Sequence, residues 1–101
     1  MHQPPSRTAY DPQNDWLVYV LVSLSSQRTY VGIAHHMDRR LAQHNGQLRG
    51  GASSTRAGRP WAVGATFGPY GDRGKAQSIE AKLKRTPPSA RLDLCAASLE
   101  P

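Results

Sequence analysis

The feature that most constrains this chain is the apolar run from Trp16 to Leu24, WLVYVLVSL, followed after two serines and a glutamine by RTYVGI. The run is short, rich in valine and almost free of polar side chains. It reads as a strand buried on both faces, so structure has to be layered above and below it. Ser25-Ser26 makes a turn with Gln27 at its exit, and Arg28 to Ile33 reads as a second strand, closing an antiparallel hairpin. Strand side chains alternate, so Tyr30 and Gly32 share one face. A two-residue turn sets Tyr19 opposite Gly32 and diagonal to Tyr30. Gly32 has no side chain, and the expected result is two phenols beside a small cavity. On the hairpin alone, two ordinary core tyrosines are the alternative. In either case a buried tyrosine needs a partner for its hydroxyl.

The remaining segments supply the layers. Residues 1–14 are polar, hold three prolines and read as a loose tail, with the folded domain expected over residues 15–101. In HHMDRRLAQHNG, Met37 and Leu41 stand four apart and Asn45-Gly46 is a stop signal, which predicts a helix of about three turns. Gln47 to Pro60, rich in Gly, Ser and Arg, reads as a long loop, a length usually tied to function or disorder. Trp61 to Phe67 reads as a third strand and Gly68 to Gly71 as a turn. Asp72 caps a second helix running to about Arg85, with Ala76, Ile79 and Leu83 on its inner face. Pro87-Pro88 ends it, and Ser89 opens a short last helix carrying Leu92, Cys95 and Leu99. The order strand, strand, helix, strand, helix, helix predicts a small α/β sandwich, a three-stranded, mainly antiparallel sheet flanked by helices.

Charge narrows the partner. The 101 residues fit one domain, and they carry a formal net charge of +6. Between Arg39 and Arg85 stand ten cations against Asp72 and Glu80 alone. An anionic partner is expected, nucleic acid first, with an acidic protein or a membrane surface as the bland alternative. The single cysteine, Cys95, excludes an intrachain disulfide and fits a reducing, cytoplasmic setting. No apolar run approaches the ~20 residues that span a bilayer, and the N-terminus lacks the apolar core of a secretory signal.

Three groups of residues carry chemistry. Tyr19 and Tyr30 lie on the hairpin. His36, Arg40 and His44, spaced by four, stack along one helix face. Arg40 sits at the edge of the buried face, where a guanidinium suits a phosphate held by two hydrogen bonds. His44 is suited to accepting or relaying a proton near neutral pH. The competing reading is a solvated polar face with Arg39 and Gln43. His35 and His36 lack further ligands, so no zinc site is read. Glu80 is the only acid between Arg73 and Arg91. A lone carboxylate on a basic protein suits a magnesium ion that keeps several waters and is completed by substrate phosphate. Its competing role is an i,i+4 pair with Lys84.

In this order, V-Y-V at 18–20, Y-V-G at 30–32, R-x-x-x-H-N at 40–45 and the later Glu80 resemble the GIY-YIG nuclease superfamily. STRAGRP at 54–60 and EAKLKR at 80–85 are similar to its small single-domain bacterial branch, and MDRRLAQHN is similar to the helix of structure-selective junction and flap nucleases. The resemblance covers residues 16–85. The first motif keeps only its tyrosine, the second reads Y-V-G, the late asparagine of larger members has no equivalent, and no attached DNA-targeting domain is seen.

What the resemblance implies is one-step phosphodiester hydrolysis in DNA with one divalent metal, Mg2+ or Mn2+. Glu80 would hold the metal, Arg40 the non-bridging oxygens, and Tyr19 would take the proton of the attacking water. Tyrosine ionises near ~10, so Tyr19 needs Arg40 and the metal to favour phenolate, with Tyr30 and His44 bonding it or relaying its proton. Thr55, Arg56, Arg59 and Lys84 are candidates for holding the strand around the cut. Trp61 and Tyr70 are candidates for stacking on bases, Trp61 also reading as core. Single-stranded or structured DNA is the expected substrate, with a protein partner for targeting. A domain that grips nucleic acid without cutting it is the second reading, and a basic scaffold with no such role the third.

Overall fold

The computed structural model describes residue 11 and residues 13–94. Three antiparallel strands form one sheet: β1 (Trp16–Ser23), β2 (Thr29–Ala34) and β3 (Trp61–Tyr70), in the order β2-β1-β3. Two helices cover it, α1 (Met37–His44) and α2 (Arg73–Arg85). The central place of β1 explains its composition. Val18, Val20, Val31, Phe67 and Tyr70 pack with Ala76, Ile79 and Leu83 of α2 on one face. Tyr19, Leu21, Ala34 and Trp61 meet Met37 and Leu41 of α1 on the other. A strand covered on both sides has no polar face to show, hence the unbroken apolar run.

The hairpin register is the expected one, Tyr19 opposite Gly32 and Leu21 opposite Tyr30. The strands stop short of the serines, however. Ser23 N–H donates to Arg28 O at 3.0 Å, and the Ser23 hydroxyl oxygen accepts from the backbone N–H groups of Ser25 and Ser26 at 3.2 and 3.0 Å. Serine side chains thus satisfy the turn's donors in place of a tight two-residue hairpin. Asp11 N–H donates to the Asp15 carboxylate at 3.0 Å, so a turn just ahead of β1 is tied to it.

Four expectations need correction. Helix α1 has eight residues, nearer two turns than three: His36 is an extended N-cap, and Gly46 at φ +80° ends the helix. The segment 47–60 is not all loop, since Ser53–Gly58 winds into a 3₁₀ helix. Strand β3 runs through the expected turn at Gly68 to Gly71 and pairs Tyr70 with Trp16. Gly68, at φ +109°, lets the register slip there, and Pro69 is tolerated because β3 is an edge strand. The last helix is a six-residue 3₁₀ segment, Pro88–Asp93, too short to nucleate an α-helix. Leu92 is 45% exposed in it, and Cys95 and Leu99 lie outside the described residues.

Helix α2 is built as expected. The Asp72 carboxylate accepts from Gly74 N–H at 3.0 Å at its start. At its end Arg91 donates to the carbonyls of Leu83, Lys84 and Thr86 at 3.0–3.2 Å and to the Thr29 hydroxyl at 2.8 Å. A guanidinium thus satisfies orphan carbonyls at the negative pole of the helix and ties it to β2. Leu83→Ala removes a fully buried side chain from this layer. It should cost about 2–5 kcal/mol in urea denaturation with an unchanged slope. A loss under about 1 kcal/mol would mean that the sheet closes over the gap and that Leu83 is no anchor of α2.

Candidate active site

Tyr19 points from β1 into the α1 side, and its hydroxyl lies 2.8 Å from His44 Nε2. Both residues are buried, at 1% and 0% exposure. His44 Nδ1 in turn lies 3.1 Å from Thr55 Oγ1, and the Thr55 hydroxyl donates to Ala52 O at 2.6 Å. This chain fixes the protons. Thr55 has spent its one hydrogen on Ala52, so it accepts from His44 Nδ1–H. A neutral imidazole then has a bare Nε2, which accepts from the Tyr19 hydroxyl.

The charge states agree. Burial pushes the Tyr19 phenol up to about 12, more than a hydrogen bond with Arg40 and the Arg40 charge pull it down, and the charges of Tyr30 and Glu80 raise it further. Burial brings His44 down to about 4, helped by the charges of Arg40 and Arg59. Both groups are neutral at pH 7. Against Arg40 by itself desolvation wins, and the expected phenolate would need the metal as well.

The residues around this chain hold it. Gly32 makes no open cavity, because Tyr19 fills the space: a β-carbon there would collide with the Tyr19 hydroxyl and stand 2.6 Å from its Cζ. The Tyr30 ring packs 4.8 Å from His44 and 6.3 Å from Tyr19, centroid to centroid. Arg40 Nη1 donates to Gln43 Oε1 and to Gly50 O, both at 2.8 Å. Arg59 Nε donates to His44 O at 2.6 Å, placing a cation at the end of α1. Asn45 clamps the helix end to β3, accepting from Trp61 N–H at 2.6 Å and donating to Trp61 O at 3.0 Å. The Trp61 indole N–H donates to Thr55 O at 2.6 Å, so the tryptophan fixes the segment that carries Thr55.

Glu80 enters from α2, close enough for its charge to oppose ionisation of Tyr19. Its carboxylate is 20% exposed and lies 3.3 Å from Lys84 Nζ. Among the described residues no group of three or more His, Cys, Asp or Glu is arranged to enclose a metal. One accessible hard oxygen donor fits a divalent cation that keeps its waters, and does not fit a closed zinc cage.

This arrangement, two tyrosines on a hairpin, an arginine and a histidine on the next helix and a glutamate on a later one, is matched at the level of sequence. Residues 15–91 match the model of the GIY-YIG catalytic domain. The chain belongs to the GIY-YIG family. It is 34% identical over 68 residues to the structure-specific endonuclease subunit SLX1 homolog of Cryptosporidium parvum, covering 67% of this chain and 17% of that protein. It is 39% identical over 70 residues to the structure-specific endonuclease subunit slx1 of Schizosaccharomyces pombe, covering 66% of this chain and 25% of the other. With the Leishmania major SLX1 homolog the identity is 39% over 79 residues, 74% of this chain and 11% of that one. The chain spans a quarter or less of the length of these relatives.

Within this GIY-YIG domain Tyr19, Tyr30, Arg40 and His44 stand together as expected, with Glu80 acting on Tyr19 through its charge. His36 does not join them; it is the exposed N-cap of α1. Thr55 is corrected. It is fully buried under His44 and faces no strand, so its place is to orient the imidazole. Tyr70, 6% exposed in the α2 layer, offers no stacking face, and Trp61 is core. Arg56 is exposed, Arg59 half-buried against His44 O, and Lys84 paired with Glu80. Sequence reasoning read Asn45 only as a stop signal and missed its clamp on Trp61. An amide directly after a candidate catalytic histidine is the one signal that pointed to it.

Three measurements check the geometry. Gly32→Ala should displace the Tyr19 phenol, costing about 1–3 kcal/mol of stability and breaking the bond to His44; wild-type stability would mean the ring has room to move. By NMR, His44 should stay neutral, with its proton on Nδ1, down to about pH 4. Its folded pKa lies below the unfolded ~6.5, so the unfolded chain binds more protons in between. This part of the stability is full above about 6.5 and is lost as pH falls towards about 4. His44→Gln should lower the urea midpoint at pH 7 but shrink its drop between pH 7 and 5; an equal drop in both proteins would contradict the assignment.

Proposed function

We propose that this domain is a divalent-metal-dependent endonuclease that hydrolyses phosphodiester bonds in single-stranded or branched DNA. The observation that carries the reading is the directed chain from Tyr19 O–H to His44 to Thr55, set beside Arg40 and within the field of Glu80. A core tyrosine pair needs no such chain. The names of the longer relatives support structured DNA as the substrate, and the word subunit in them supports a protein partner for targeting.

The chemistry follows from the proton order. As a water attacks phosphorus, its proton passes to the Tyr19 oxygen while the Tyr19 proton passes to His44 Nε2. The pair accepts one proton in total, and no free phenolate is formed in the dry site. His44 is the acceptor in effect, and Thr55 keeps Nδ1 occupied so that Nε2 is the basic nitrogen. Arg40 sits where the non-bridging oxygens gain charge in the transition state. Mg2+ or Mn2+ held by Glu80 would supply Lewis-acid stabilisation of the phosphate and leaving oxygen. The leaving oxygen takes its proton from solvent, and the second proton held by the pair returns to water after release.

The test is a gel assay with end-labelled single-stranded, duplex and flapped DNA, in magnesium, manganese or EDTA. Wild type should cut only with metal, and Glu80→Ala should bind without cutting. Tyr19→Phe should lower kcat by about 10²–10⁴-fold, and Arg40→Ala by about 10²–10³-fold with a smaller loss of binding. Normal turnover by Glu80→Ala would remove the metal site. Salt-sensitive binding with no cutting of any substrate would make this a binding module.

A further inference from the structure

Where the chain leaves α1 it folds into an open cleft of about 550 Å³, walled by Gly46, Arg49, Gly50, Gly51, Arg56 and Arg59. Three arginines line it and no acid does. Arg49 and Arg56 are exposed, and among the described residues no carboxylate pairs with either. Arg59 differs from them. Its Nε is spent on His44 O, and its guanidinium lies over Gly46, where a β-carbon would stand 2.7 Å from Nη1. One cation is therefore held in place and two stand exposed.

The backbone is shaped for the same purpose. Gly46 and Gly50 take φ of +80° and +108°, which other residues rarely adopt. A β-carbon on Gly51 would strike the Gln43 carbonyl, so the loop lies flat against α1. Guanidinium groups around an open, acid-free cleft suit the tetrahedral oxygens of a phosphate. The cleft also adjoins the catalytic cluster, because Arg40 Nη1 donates to Gly50 O, the carbonyl of a cleft residue.

We propose that this cleft binds a second phosphodiester of the DNA strand, next to the one that is cut, and so seats the scissile phosphate at Arg40. The proposal rests on the nuclease reading for its substrate. An open wall favours a passing strand over an enclosed small anion, and contacts to phosphate alone hold any sequence. The link from Gly50 O to Arg40 makes the cleft a positioning element: a strand held there also fixes the loop that orients the catalytic guanidinium.

The test measures binding of fluorescein-labelled single-stranded and flapped DNA in EDTA across a salt series. It compares Glu80→Ala with the same protein also carrying Arg49→Ala and Arg56→Ala. Affinity should fall at least tenfold at low salt, and the slope of log K against log salt should shrink by about 1.4 for single strands. Arg49→Lys with Arg56→Lys should keep the slope at weaker affinity, which excludes general damage to the fold. With Glu80 restored, the double alanine variant should raise KM more than it lowers kcat. Unchanged affinity and slope would overturn the cleft even if wild type cuts DNA. A wild type that cuts nothing but shows the slope change would overturn the nuclease reading and leave the cleft. Sub-millimolar binding of inorganic phosphate alone, lost in the double variant, would make it a free-phosphate site and overturn the strand assignment.

Discussion

The hydrogen bond between the Tyr19 hydroxyl and His44 Nε2 is the contact that the rest of the structure exists to make. It joins the central strand to the end of the first helix between two fully buried side chains, where a half-satisfied polar pair would be costly. Everything near it serves to complete it. Gly32 leaves the ring its space, Thr55 takes the far nitrogen, and Ala52 O takes the hydrogen of Thr55. Asn45 and Trp61 then fix the two segments that carry His44 and Thr55.

Two arginines beside a neutral imidazole give this arrangement its responsiveness. Arg40 and Arg59 both lower the proton affinity of His44. In the proposed reaction a DNA phosphate bound near them would neutralise part of that charge and make His44 a better base. Burial, the larger cause, lowers the proton affinity of His44 in the same direction as the arginines, because a neutral imidazole costs less to desolvate than its cation. On the proposed function the acceptor is neutral at rest and would gain basicity as the polyanion binds.

How much of this was legible in the sequence depends on range. The position of Tyr19 over Gly32 followed from period-two alternation and one turn, both local. The inner face of α2 followed from the spacing of Ala76, Ile79 and Leu83. Thr55 was placed on the strand-binding surface because a polar Ser-Thr-Arg segment between glycines reads as solvated loop. Its burial depends on a 3₁₀ turn and on the Trp61 indole, six residues on, which no pattern encodes. That Arg40 by itself leaves Tyr19 protonated was hidden for a similar reason. A nearby arginine is visible in the chain, but the depth of burial that outweighs it is a property of the packed layers. The bulge in β3 was hidden because Gly-Pro signals a turn, and only an edge position lets it continue as strand.

Glu80 was legible as two alternatives, a metal ligand or a partner of Lys84, and the structure shows why they need not compete. The pair spans 3.3 Å with Lys84 55% exposed, the geometry of a surface i,i+4 contact. Such a contact is worth a few tenths of a kcal/mol, so a divalent cation held by Glu80 would displace the ammonium at almost no cost. The displaced lysine would then be a cation at the edge of the site, able to meet a phosphate. A single carboxylate holds its metal weakly without substrate, since the remaining positions belong to water and to the phosphate itself. In the proposed reaction metal, strand and lysine would therefore bind as one event, with Glu80 carrying its neighbour's charge only until the substrate took it over.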